Sequence, residues 1–162
     1  MAGQARLGGF AVAVVREDGT WRCGQLDASA LGGLDDALTG LRALRCTGAV
    51  IGMLAVDDEF FVLIRPGPSG AELLLSDAAA ALDYDVAADV LDVLRVDPPD
   101  DDDDELWPVG DLHLLADFGL PESELRVIID DVQLYPDEQL QMIAGRCGFG
   151  DEFAALLDKV LP

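Results

Sequence analysis

Between Asp97 and Trp107 the chain carries a segment that has no means of burying itself. Asp97-Pro98-Pro99 runs directly into five aspartates, Asp100 to Asp104, and then Glu105. Like charges repel along the strand and the prolines withhold backbone donors, so the segment reads as a linker or a very exposed loop. It also separates two chemistries. Before it lie dense apolar runs of strand and hairpin character; after it lie short amphipathic stretches punctuated by Gly and Pro. The division this predicts is a sheet-containing region over 1–96, an acidic Pro/Asp-rich linker over 97–110 and a helical region over 111–162.

Charge narrows the partners. Acids outnumber bases by 32 to 10, with 14 acids and 7 bases up to position 95 and 18 acids and 3 bases after it. Such a field repels phosphate backbones and anionic lipid headgroups, which argues against direct contact with nucleic acid or membrane and favours a basic protein partner. The same charge also maintains solubility without any partner. With 51% apolar residues the chain has the material for a core. Its three cysteines, Cys23, Cys46 and Cys147, are odd in number and widely spaced, as in a reduced intracellular chain. The longest early apolar run, Phe10 to Val15, is too short to cross a membrane and is followed by acids. A cytoplasmic protein is expected.

Phe10, Val12 and Val14 alternate with smaller residues, Asp18-Gly19 supplies a turn, and Thr20 to Leu26 returns with Trp21 and Cys23 on one face, which predicts a β-hairpin. Leu34, Leu38, Leu41 and Leu44, with Ala37, recur at helical spacing. Ala49 to Val56 and Phe60 to Arg65 should pair as a second hairpin around Asp57-Asp58, with Glu59 at its tip, either solubilising or facing a partner. Glu72 to Ser76 reads as a fifth strand. A helix over 84–94 places Val86, Val90, Val93 and Leu94 on one stripe and Asp85, Asp89 and Asp92 on the opposite, solvated one.

The expected fold is therefore α+β, an antiparallel five-stranded sheet with helices in the order ββαβββα, plus a C-terminal bundle of short helices. That order looks like the topology of roadblock, longin and profilin-like domains, many of which scaffold proteins. In the C-terminal part, Leu112, Leu115 and Phe118 suggest a helix ending at Gly119. Pro121 opens a second with Leu125, Ile128 and Ile129 inward, Pro136 a third with Leu140 and Ile143, and Phe153, Leu156, Leu157 and Val160 form a fourth stripe. A bundle of that size is marginal unless it docks on the sheet or on a partner.

Asp117-Phe118-Gly119-Leu120, Leu134-Tyr135-Pro136-Asp137-Glu138 and Gly148-Phe149-Gly150-Asp151-Glu152-Phe153, behind an acidic β-rich half, resemble the actinobacterial family of tRNA adenosine deaminase-associated proteins. The resemblance covers essentially the whole chain and is clearest after Asp111. It implies a place beside the deaminase in tRNA adenosine-to-inosine editing, a name that reflects gene neighbourhood, and no site residues to carry over. A single lysine, Lys159, against nine arginines suits high-GC coding.

The chain is not itself such a deaminase. Zinc-dependent nucleobase deaminases need His-x-Glu and Pro-Cys-x-x-Cys, and neither is present: the lone His113 is followed by Leu114 and Leu115. Asp117-Phe118-Gly119 matches the kinase magnesium triplet by letters, but without a glycine-rich phosphate loop or a His-Arg-Asp loop it reads as a helix terminus. Gly32-Gly33 and Gly148-x-Gly150 lack the spacing of a nucleotide fingerprint. His113 with Asp111 and Asp117 could compose a general base, yet Ser29, Ser69, Ser76 and Ser123 offer no recognisable nucleophile motif.

No catalytic, cofactor or metal residue is assigned. The candidate partner-binding residues are Asp100, Asp101, Asp102, Asp103, Asp104, Glu105 and Trp107, an acidic strip followed by an aromatic anchor. The leading expectation is a non-catalytic adaptor or regulator that contacts the tRNA adenosine deaminase or another basic protein. The competing one is a small enzyme or ligand-binding domain whose pocket is built from ordinary carboxylates. Pairing of two copies through an exposed edge strand stays open.

Overall fold

A computed structural model describes residues 8–44, 48–67, 70–98, 108–131 and 133–160. The first hairpin joins β1, Gly9–Glu17, to β2, Thr20–Gln25. Asp18 and Gly19 both take positive φ, 54° and 77°, the turn whose twist matches the strands. The second hairpin joins β3, Ala49–Val56, to β4, Phe60–Gly67, and β5 is Gly70–Leu75. Helix α1, Leu34–Arg42, lies between the hairpins, and α2, Asp85–Leu94, follows β5. The order ββαβββα is the expected one.

The sheet has six strands, not five. Strand β6, Val109–Gly110, follows the acidic segment and pairs antiparallel with β5, Leu74 opposite Gly110 and Leu75 opposite Val109. Two residues carry no periodicity, so sequence gives such a strand no signal. The spatial order is β2-β1-β3-β4-β5-β6. Every neighbouring pair is antiparallel. Helices α3, Glu122–Asp130, α4, Pro136–Cys147, and α5, Gly150–Val160, complete the chain.

Side chains alternate across each strand, so the sheet has two apolar faces. Ala11, Ala13, Leu54, Val56, Val62, Ile64 and Leu75 turn toward α1 and α2. Phe10, Val12, Val14, Ile51, Met53, Phe61, Leu63 and Leu74 turn toward α3, α4 and α5, which bury Leu125, Ile128, Ile129, Leu140, Ile143 and Phe153 on that side. The C-terminal helices thus find on the sheet the apolar partner that a bundle of their size lacks, each fully buried Leu, Ile or Phe contributing roughly 1.5–3 kcal/mol. Helix α1 seats directly on β3 because Gly52 has no side chain: a Cβ there would lie 2.6 Å from Leu41 Cδ1.

Three local expectations are corrected. In α2 the buried stripe is Val86, Ala87, Val90 and Leu91, while Val93 is 55% exposed, since a 3.6-residue period carries the stripe through 87 and 91. Asp89 is not a purely solvated acid: its Oδ2 accepts the Leu34 N–H at 3.1 Å and so caps α1. Residues 112–118 form turns with a short 3-10 segment, Ala116–Phe118, because the Asp111 carboxylate takes the His113 N–H at 2.8 Å and the following bonds run from i to i+3. Gly119, φ 95°, ends that segment, so Asp117-Phe118-Gly119 is a helix terminus as read.

Candidate interaction surface

One end of the sheet is built around the β3–β4 turn. Asp57 and Asp58 hold positive φ, 50° and 56°, a conformation that Asp tolerates and β-branched residues resist. The turn is fastened at two points. The Asp57 carboxylate accepts the Gly8 N–H. It also takes a hydrogen bond from Tyr84, whose hydroxyl is pushed up to about 12 by burial first, then by that bond, and then by the charges of Asp57, Glu59 and Asp83. The Tyr84 ring packs on Phe60 at 5.1 Å. Glu59 is left exposed at the tip.

Glu59 stands between two hollows. On the α2 side, a hollow of about 280 Å³ is lined by Glu59, Asp77, Ala79, Ala80, Asp83 and Tyr84. On the C-terminal side, one of about 240 Å³ has Asp58, Glu59 and Asp131 at its edge and Ile129, Leu134, Tyr135 and Pro136 as apolar wall, with the buried polar groups Ser76 and Gln139. Ser76 Oγ accepts the Phe61 N–H at 2.9 Å. Gln139 Nε2 donates to the carbonyls of Ile128, 2.9 Å, and Ile129, 3.2 Å, tying α4 to the end of α3. No Lys or Arg lines either hollow.

The opposite end of the sheet is arginine-bearing. Arg65 forms a bidentate pair with Asp117, 2.7 and 2.8 Å, donates to the Leu114 carbonyl at 2.9 Å and lies over the Phe118 ring at 4.7 Å. Hydrogen bonding from Arg65 lowers the Asp117 carboxyl below its ordinary value. Arg16 lies over Trp21 at 5.3 Å, and Trp21 packs on Phe118 and Phe149 at 5.2 and 4.7 Å. These contacts bind the residues after β6 to β4 and to the first hairpin, and Phe149, just before α5, to the first hairpin. They use the guanidinium groups internally, so a hollow of about 340 Å³ beside Arg42 and Arg65 offers a depleted cationic site.

The sequence-derived partner residues Asp100, Asp101, Asp102, Asp103, Asp104, Glu105 and Trp107 lie outside the described residues. Asp111, His113 and Asp117 do not act together: His113 Nε2 meets Glu122 at 3.1 Å on the surface and Asp117 is held by Arg65. Burial pushes the thiols of Cys23 and Cys147 up to about 12, which removes them as nucleophiles at neutral pH. Cys46 lies outside the described residues. Among the described residues no three His, Cys, Asp or Glu side chains are grouped to hold a metal ion, and no helix is long and apolar enough to cross a membrane.

Sequence reasoning placed the acidic tip but missed Tyr84, Tyr135, Ser76 and Gln139. A signal existed for Gln139, a polar residue among the buried positions of α4, and for Tyr135, which sits in Leu134-Tyr135-Pro136-Asp137-Glu138. The Tyr135 N–H donates to Glu138 at 3.0 Å, so that motif is a helix start that leaves the ring 60% exposed.

A family described as Rv3753c-like tRNA adenosine deaminase-associated protein matches residues 9–150. Protein Rv3753c of Mycobacterium tuberculosis (strain ATCC 25618 / H37Rv) is 56% identical over 154 residues, which is 94% of this chain and 89% of that protein. No solved structure matches.

Proposed function

The chain belongs to the Rv3753c-like tRNA adenosine deaminase-associated protein family, and from that premise we propose that it is a non-catalytic adaptor or regulator of the deaminase, acting in the cytoplasm through protein contact. The family is described as associated with the deaminase and not as the enzyme. The observation that carries the reading is the acidic end of the sheet, where a fixed turn presents Asp58 and Glu59 between two hollows lined by acids and tyrosines. An enzyme that takes tRNA needs a basic face for the phosphates. A protein of net charge −22 with a rigid acidic end is complementary to such a face and can steer onto it. Asp100 to Glu105 extend that attraction in this reading and Trp107 adds an aromatic anchor, with the chain between α2 and β6 as the tether that carries them.

Calorimetric titration against the tRNA adenosine deaminase of the same organism, at low and at moderate salt with deamination assayed in parallel, tests it. Saturable binding that weakens with salt is the expected result, since a Debye length of about 10 Å at 0.1 M largely screens exposed charges farther apart than that and so removes the long-range attraction. Any change in rate gives the sign of regulation. Absence of heat and of rate change at both salts would end the adaptor reading for this enzyme.

A further inference from the structure

We propose that the hollow between the β3–β4 turn and the α3–α4 junction is a receptor for an arginine side chain carried by a partner protein. The inference rests on the adaptor reading and names the place and chemistry of its contact.

Three properties of the hollow converge on that ligand. At about 240 Å³ it is smaller than the roughly 300–1,000 Å³ of small-molecule sites, which suits one long side chain better than a metabolite. Its walls divide as an arginine divides: Ile129, Leu134 and Pro136 offer apolar surface for an alkyl stem, and Asp58, Glu59 and Asp131 offer carboxylates for the head. A buried amide in the lining adds an acceptor. Gln139 is only 7% exposed and its Nε2 is committed to the Ile128 and Ile129 carbonyls, so what its amide presents to the hollow is the oxygen.

Arginine is favoured over lysine by Tyr135. Tyr135 is 60% exposed at the rim, and its backbone N–H is held by Glu138, so its ring offers an aromatic face on which a planar guanidinium can stack. Five N–H donors in one plane match several acceptors at the edge; an ammonium supplies three and no stacking surface. RNA is disfavoured because no base lines the hollow.

The test uses the full chain, ¹⁵N-labelled, titrated with the tripeptides acetyl-Gly-Arg-Gly-amide and acetyl-Gly-Lys-Gly-amide, and calorimetry of the same variants with the deaminase. The arginine tripeptide should shift the resonances of residues 129–139 and the Asp58 turn saturably, several-fold more tightly than the lysine one. Asp58→Asn with Glu59→Gln should weaken it at least tenfold, and Tyr135→Ala should remove the preference for arginine. Asp35→Asn with Asp36→Asn, which deletes equal charge from exposed positions on α1, should change affinity less than twofold. Unsaturable shifts, shifts spread over the whole acidic surface, or equal losses in the two double variants would overturn the receptor. Deaminase binding that survives Asp58→Asn with Glu59→Gln would overturn it too, while leaving the adaptor reading intact. A deaminase that does not bind, beside a tripeptide that does so locally, would support the receptor and remove the enzyme as its partner.

Discussion

The core between the sheet and α1 and α2 is filled mostly by alanine and aliphatic side chains, Ala11, Ala13, Val62 and Ile64 from the strands and Ala37 and Ala87 from the helices, with Phe60 and Tyr84 as its aromatic pair, whereas the core under α3, α4 and α5 gathers Phe10, Phe61, Phe149 and Phe153 with Trp21 and Phe118 at its margin. The first face is closed by helices that follow their strands closely in the chain. The second is closed by helices that return from beyond the acidic segment. A layer joined so remotely gains little from its connection, and it carries more directional contacts: the Arg65 pair with Asp117, the Gln139 bonds to α3 and the tilted and edge-on rings of Trp21 and Phe149. Small side chains let α1 come close, while rings and guanidiniums specify how a distant layer must sit.

The largest expected effect tests whether that second layer is part of one cooperative unit. Phe153 is fully buried and packs edge-on against Phe10 at 5.9 Å, so Phe153→Ala should cost about 3–5 kcal/mol. Urea unfolding followed by tryptophan fluorescence and far-UV circular dichroism should still give coincident curves. A fluorescence transition that moves alone would mean that the layer melts apart from the sheet.

On the other face Leu41→Ala should cost roughly 2–5 kcal/mol in the same assay. Its coupling to Gly52 sharpens the contrast in packing. Gly52→Ala should destabilise the natural chain by about 1–3 kcal/mol through overpacking, and should lose most of that cost once Leu41 is Ala, a non-additivity that a double-mutant cycle reads directly.

Gln139→Leu should cost about 1–3 kcal/mol, because it takes the side-chain donor from the Ile129 carbonyl and leaves the Ile128 carbonyl only the Asp131 N–H where α3 hands over to α4. The smallest effect belongs to the Arg65–Asp117 pair. Asp117 is depressed in the folded state, so its contribution is present above the ordinary carboxylate value of 3.8 and is lost as pH falls through the lower folded value. With its side chain 57% exposed, the pair should be worth no more than about 1 kcal/mol. Asp117→Asn should lower stability at pH 7 by that amount and flatten the acid limb of a stability profile below pH 4; an unchanged limb would show that the pair does not report on docking of the second layer.

Much of the fold is legible in the sequence. Alternation gave the first hairpin and its Asp18-Gly19 turn, and the apolar stripes gave α3, α4 and the inward residues Leu125, Ile128, Ile129, Leu140 and Ile143. The unbroken apolar runs of β3 and β4 also held a signal that sequence reasoning missed, since strands covered on both faces read that way. The acidic tip was legible too, because Asp57, Asp58 and Glu59 sit between two strands. Its neighbours were not: Tyr84, Ser76, Asp131 and Gln139 come from four separate segments, and nothing in their spacing links them.

By itself the sequence determined most of the local elements and the acidic balance, since these follow from residue type and short-range periodicity. The tertiary structure alone decided that α3, α4 and α5 close the second face of the sheet, that β6 extends its edge, and that a tyrosine, a buried amide and three carboxylates meet beside one turn. Those outcomes depend on shape complementarity between segments far apart in the chain, and apolar burial, being non-directional, leaves that choice open until side chains meet.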